Sequence, residues 1–468
     1  MRNIWLLAAS YWFYMCQGAG YALLLFFSTL VTYLSGLLMG RRGQGAGKGD
    51  EAGSPSSRPA RRKKLILLLS IILNLGLLFY FKYFNFFMES VGLDPGFRIL
   101  LPIGISFYVF QAVSYSVDIY REKMEPERNF INYALFLAFF PQIMSGPIGR
   151  GPSLLPQYRL KFEPDYNRIR HGLFRMLWGY FIKLVVASRL TIVVDLIFNN
   201  YDSCNGWQLL IGALAFSLQI YCDFASYSML AVGAAEVIGI RLMENFKQPF
   251  FSLSMAELWR RWHISLTSWF RDYLYIPLGG SRKGAFRKYI NILIVFTLSG
   301  LWHGAAWTFI VWGFLSGLFQ VIGEITKPVR TAIAAKSPLK GPTAGRIHRI
   351  IQIIITYLLF SFTTIFFKSE SLDQAWSIIK GIFTGLTYSA LRATNPFQLG
   401  LGALNLGLCL FSILILFMGD LLQERTGDMA AAVLGLRGWK RWAIYYFLTT
   451  FILLSANIGA ETFIYFQF

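Results

Sequence analysis

Histidine is scarce, and two of the four residues stand in apolar surroundings. His303 lies in LSGLWHGAAW and His263 in MAELWRRWHISLTSWFRDYLYIPLGG. An ionisable side chain at membrane depth is costly and marks a functional position by default. The competing role is a packing histidine bonded to a backbone carbonyl. Around His303, Ser299, Gly300, Gly304, Ala305 and Ala306 are small, and Trp302 and Trp307 offer flat walls. Small residues let a second backbone or a thin substrate come close, and close helix packing uses them equally well. His171 and His348 flank Arg170 and Arg349 at segment edges and read as interfacial polar residues.

His263 sits in a strongly basic, Trp-rich stretch. Read as one helix, Leu258, Trp262, Leu266, Trp269 and Tyr273 share an apolar face. Arg260 and Arg271 then nearly align three turns apart. Three tryptophans in so short a stretch predict an interfacial or re-entrant helix rather than a spanning one. The SRKG turn and Arg287–Lys288 extend the basic strip. Such a strip suits either a phosphate-bearing donor or lipid headgroups. Asp118 ends one apolar segment, and Gln219, Tyr221 and Asp223 lie in SLQIYCDFASY within another. A buried Asp needs a partner, and one basic residue within reach would make it a structural ion pair.

Soluble-enzyme motifs are missing from the sequence: no GxSxG, HExxH, Walker sequence or His-x4-Asp pair is found. GQGAGKGD has the wrong spacing for a phosphate loop, and no Ser or Thr follows Lys48. Cys16, Cys204, Cys222 and Cys409 are scattered and form no metal pattern. Two membrane-depth histidines therefore carry any hydrolytic or transfer chemistry.

The elements that must hold them are apolar helices. Of 468 residues, 55% are apolar and 15% charged, against about 25% charged in a soluble domain. Mean hydropathy is +0.49. The net charge of +20 fits Lys- and Arg-rich cytoplasmic loops facing anionic lipid. Nucleic-acid binding, which needs a water-exposed basic face, is not expected. Candidate spans run near 21–39, 65–88, 99–118, 130–149, 172–198, 207–233, 289–325 (broken), 350–367, 400–422 and 442–457. The piece 4–16 is too short to span, and no cleavable signal peptide is expected. The basic loops 41–64 and 326–349, and the segment 424–441, are assigned to the cytoplasm. Parity then makes 372–387 a non-spanning amphipathic helix, with Leu372, Ala375, Trp376, Ile379, Phe383 and Leu386 recurring at three or four residues.

Across almost its whole length the chain resembles the membrane-bound O-acyltransferase superfamily, in the bacterial branch of alginate O-acetylation and teichoic acid D-alanylation proteins. The resemblance is carried by PIGISFYVFQAVSYSVDIY, FFPQIMSGPIGR, LQIYCDFASYS, ENFKQPFFSLSMAELWRRWHISLTSWFRDYLYIPLGGSRKG, LSGLWHGAAW and FIYFQF. GPIGRGPSLLPQY and FIYFQF favour the alginate-type subfamily. Alginate-type proteins usually have a further apolar segment before the one matching RNIWLLAASYWFY, whereas Met1 precedes it here. The family's Gly-Tyr-Ser-Asp run reads Ser226-Tyr227-Ser228-Met229, so its Asp is missing.

The resemblance implies an all-α polytopic membrane protein of about ten to eleven transmembrane helices, with re-entrant or interfacial helices around a thin catalytic centre. It implies one membrane domain over 1–468, with a catalytic core block at 244–310. His303 is the implied catalytic histidine and His263 the second. A neutral imidazole, with an unperturbed pKa of about 6.5, suits a general base. The expected substrate-binding residues are Trp302, Arg260, Arg261, Trp269, Arg271, Asp272, Asp223, Tyr221 and Arg150. No bound cofactor or metal is expected. The donor is acetyl-CoA or an acyl carrier thioester on the cytosolic side. The implied setting is the bacterial inner membrane, with lipid, a secreted SGNH-type acetyltransferase and an extracytoplasmic polysaccharide as partners. D-alanyl transfer to teichoic acid and a membrane transporter are the alternatives. The base assignment asks for a cavity reaching the ring of residue 303.

Overall fold

Runs of about 20 apolar residues have one stable form in lipid, because a helix satisfies every backbone N–H and C=O within itself. The computed structural model describes residues 1–40, 57–93, 96–97, 99–335, 342–395, 397 and 399–457, and every regular element among them is a helix. Six helices among the described residues are long and apolar enough to cross a membrane: Ala19–Gly40, Ala60–Ser90, Gly206–Val237, Trp307–Ile325, Thr343–Lys368 and Gly402–Thr426. The chain is a polytopic helical membrane protein. The expected segments at 99–118, 172–198 and 442–457 are helical too, as Ile105–Tyr120, as Tyr166–Phe181 and Ser188–Asn199 joined by a π-turn at Ile182–Ala187, and as Gly438–Ser455.

Three expectations change. The segment 130–149 is not one span: it is Phe130–Ala138 and Phe140–Ile143, with Phe139 turned out at ψ 111°. Pro141 lacks an N–H and its ring obstructs the carbonyl of residue 137, so the first helix stops short of it. The stretch 326–349 is largely helical rather than a loop, over Lys327–Ala335 and again from Pro342. Of the basic stretch 41–64, residues 41–56 lie outside the described residues, as does the FIYFQF end, and a helix begins at Ser57.

The chain forms two compact units. The first is Met1–Gly172 with Ala234–Met243. Its core helix, Ile105–Tyr120, is buried on nearly all faces. Lipid offers little hydrophobic drive between helices, so small and polar residues join them. Ser28 donates to Asn74 Oδ1 at 2.5 Å, Ser70 meets Ser116 at 3.1 Å, and Tyr133 donates to Thr32 at 2.5 Å. Gly104, at φ +81°, starts the core helix where a Cβ would lie 2.5 Å from the Ile143 carbonyl oxygen.

The second unit is Leu173–Gly233 with Glu244–Phe468. Its pillar is Gly206–Val237, 72% buried in its apolar window against 22–44% for the other five spanning helices. Such a helix is wrapped by protein and faces lipid least. Leu372–Gly385 is capped by Ser371, which accepts from Gln374 N, and is amphipathic as expected. It buries Ala375, Ile378, Ile379 and Ile382, while Trp376 and Phe383 point outward. The outward aromatics are what an interfacial helix offers to headgroups.

Candidate active site

His303 ends the helix Gly284–His303, and the chain turns through extended Gly304 and Ala306 into Trp307–Ile325. This is the break expected within 289–325. The two helices pack backbone to backbone. A Cβ on Gly300 would lie 2.2 Å from the Phe309 carbonyl oxygen, and one on Gly313 2.4 Å from that of Phe296. The glycines thus serve close packing, which holds His303 at the tip of a rigid hairpin. The residue is 4% exposed, and its ring meets Trp302 and Trp312 edge-on, both at 5.0 Å, and Phe367 at 5.6 Å.

His263 comes from a different kind of element. The expected single helix around it does not form. Met255–Arg261 and Ile264–Phe270 are separate short helices, and His263 between them has φ +42° and ψ +54°. A left-handed non-glycine residue is uncommon and persists only when its surroundings hold it. Here the segment 245–247 holds it. Ile264 N donates to the Asn245 carbonyl oxygen at 2.9 Å, Ser265 N to Asn245 Oδ1 at 3.2 Å, and Lys247 N to the Arg261 carbonyl oxygen at 2.9 Å. Upstream, Ser254 and Glu257 form a reciprocal cap: Ser254 accepts from Glu257 N and Glu257 accepts from Leu253 N. The His263 ring meets Phe224 at 4.6 Å, Trp302 at 6.0 Å and His303 at 6.3 Å. Lying outside the six spanning helices, it is fully enclosed, and burial pushes its pKa down to about 3. Two histidines 40 residues apart in the chain therefore share one aromatic cage.

The other expected residues divide. Arg260 and Arg271 line a cavity of about 870 Å³ with Lys288, Lys327, Arg330 and His348. Glu324 also lines it and pairs with Lys288. Lys327 and Arg330 were read from sequence only as loop charges, and His348 as an interfacial polar residue. Arg261 does not join them; it forms ion pairs with Glu424 at 2.7 Å and Glu257 at 2.8 Å. Arg271 also pairs with Asp272 at 2.8 Å. Trp269 packs on Phe270 and Tyr273. Tyr221 donates to Asp420, 3.2 and 3.1 Å from its two oxygens, and its ring meets Phe246 and Phe250 edge-on and Trp262 at a tilt. Asp223 pairs with Lys183. That is the structural ion pair foreseen for a buried Asp. Arg150 belongs to the first unit, at the N-cap of Gly151–Arg159.

Sequence reading missed Asn245, Asp420 and Trp312. Asn245 could have been suspected from the ENFKQPF stretch that enters the basic block; the other two carry no local signal. The cavity does not include His303 among its lining residues. Its wall residue Phe296 meets Trp259 at 5.2 Å, Trp259 meets Trp312 at 5.7 Å, and Trp312 meets His303. The open path expected to reach the ring of residue 303 is not provided by this cavity, because two indoles stand in between.

Comparison with known proteins adds four findings. The family model of membrane-bound O-acyltransferases (MBOAT) matches residues 77–367. The probable alginate O-acetylase AlgI of Pseudomonas aeruginosa is 36% identical over 445 residues, covering 92% of this chain and 80% of the relative. The peptidoglycan O-acetyltransferase of Helicobacter pylori is 30% identical over 411 residues, covering 81% and 73%. The teichoic acid D-alanyltransferase of Bacillus subtilis is 26% identical over 255 residues, covering 52% and 64%.

Proposed function

Since this chain belongs to the membrane-bound O-acyltransferase family, we propose that it moves an acetyl group from a cytosolic thioester to a hydroxyl outside the cytoplasmic membrane. The acceptor is an envelope polysaccharide or a secreted SGNH-type partner, and the setting is the bacterial inner membrane. His303 is the general base. It takes the proton of the acceptor hydroxyl, whose oxygen bonds the acyl carbon, and returns that proton to the departing thiolate. General-base help contributes about 10²–10⁴ in rate. His263, held neutral by burial, is a positioning neighbour in the same cage. Arg260 and Arg271, with the other cavity cations, are suited to the phosphates of acetyl-CoA or of an acyl carrier's prosthetic arm. Trp259 must swing aside for the acyl group to reach His303 alongside Trp312.

The observation that carries this reading is the burial of His303 at a hairpin tip beside His263 in a chain 36% identical to a probable alginate O-acetylase. Acetyl is preferred over D-alanyl because the O-acetylase relatives are more similar and cover more of the chain. The transporter alternative gives way, as the relatives are named for group transfer. His303→Ala at equal expression should lower polymer acetylation at least about a hundredfold. Near-parental acetylation in that variant would remove the base assignment, and loss of envelope D-alanine rather than acetate on deletion would replace the acyl group.

A further inference from the structure

Three buried polar atoms on one face of Trp307–Ile325 have no hydrogen-bond partner among the described residues: Trp312 Nε1, Ser316 Oγ and Gln320 Oε1. Spaced four residues apart, they lie one above another, about 12 Å from end to end at 1.5 Å per residue. Gln320 lines the basic cavity, and Trp312 touches His303. Trp312 is 3% exposed and Ser316 0%. Buried polar groups are nearly always satisfied, so an orphaned file of this kind asks for an external partner. Trp259 Nε1 is orphaned as well, but that ring meets Phe296, Trp312 and Phe360 rather than His303.

We propose that Trp312 donates its indole N–H to the carbonyl oxygen of the acyl group while that oxygen carries negative charge. The inference rests on His303 acting as the base. The acceptor oxygen gives its proton to His303 and bonds the carbonyl carbon, and the π pair of the C=O moves onto the carbonyl oxygen. There Trp312 N–H meets it. The pair then reforms the C=O, the C–S bond breaks, and the imidazolium proton goes to the thiolate sulfur. A donor already in place in a water-free site acts on the charge as it develops, without reorganisation. An acyl group passing from the cavity to His303 must go by Trp312, which is where such a donor is needed.

The test is thiol release from acetyl-CoA by the full chain in lipid nanodiscs, with alginate oligosaccharide as acceptor. Trp312→Phe keeps an aromatic ring and removes the N–H; it should lower kcat by about 10²–10³ and leave the KM for acetyl-CoA within about threefold. Replacing Trp312 by benzothienylalanine keeps the bicyclic shape without the N–H, and should give the same loss even if the Phe variant folds poorly. Parental kcat in the benzothienylalanine protein, or a change confined to KM, overturns the inference. His303→Ala separates the two ideas: an inactive His303→Ala protein beside a fully active Trp312 variant sinks only the indole donor. Full activity in His303→Ala sinks the underlying reading and the inference with it.

Discussion

Asn245 Oδ1 accepts the Ser265 N–H at 3.2 Å, across the break that carries His263. The same residue's carbonyl oxygen takes the Ile264 N–H. One asparagine thus satisfies the first two N–H groups of Ile264–Phe270, which would otherwise be orphaned in a buried helix start. Removing a side-chain cap costs about 0.5–2 kcal/mol. Asn245→Ala should therefore lower the melting temperature and the acetylation rate together. Asn245→Asp keeps the acceptor at a helix N-terminus, where negative charge is favoured, and should stay nearer the parent in both. Melting curves and acetate content of the two variants check this; equal damage would show that the oxygen is not what matters.

Burial of His263 should make the fold acid-sensitive. Its pKa is pushed down to about 3 in the folded chain, from an ordinary 6.5. The unfolded chain binds the proton first, so this contribution is complete above about pH 6.5 and declines as pH falls towards 3. The slope is at most about 1.4 kcal/mol per pH unit. Detergent-solubilised protein should melt at lower temperature at pH 5 than at pH 7.5, and His263→Gln should flatten the difference. An unchanged slope in that variant would place the acid sensitivity elsewhere.

The hairpin that presents His303 depends on two glycines. Gly313→Ala puts a methyl 2.4 Å from the Phe296 carbonyl oxygen, and overpacking of this kind costs about 1–3 kcal/mol. Gly407 lies in the spanning helix Gly402–Thr426 with nothing within 4 Å of a Cβ. Gly407→Ala should be neutral or stabilising by about 0.5–1 kcal/mol. Thermal melting of the two variants side by side is the measurement. If Gly313→Ala melts like Gly407→Ala, the close approach does not govern the hairpin.

Asp223 is predicted to support the fold rather than the chemistry. Breaking a buried pair from one side costs about 3–5 kcal/mol because the remaining charge is stranded. Asp223→Asn should therefore lose folded yield through Lys183. Asp223→Leu combined with Lys183→Met should recover yield and activity together. A double variant that folds fully but does not acetylate would show that the carboxylate has a direct part.

Apolar runs, scarce charge and the apolar sequence surroundings of His303 were legible because they are local. A side chain's preference for lipid, and the cost of an imidazole within it, do not depend on which other segment lies alongside. The amphipathic character of Leu372–Gly385 and the break before Trp307 were readable for the same reason. What remained hidden were partnerships between distant segments. The Trp-rich stretch has helical periodicity, yet the helix breaks at His263 because Asn245, 20 residues upstream, supplies the N–H acceptors that make a break tolerable. Asp420 answers Tyr221 and Lys183 answers Asp223 only because separate helices bring them together. The cavity gathers Arg and Lys side chains from 260–288 and 327–330, and Trp312 is one apolar residue among many until packing sets it against His303. Hydropathy governs where each residue lies relative to lipid, but hydrogen bonds and ring contacts require proximity, and proximity is a property of the folded chain.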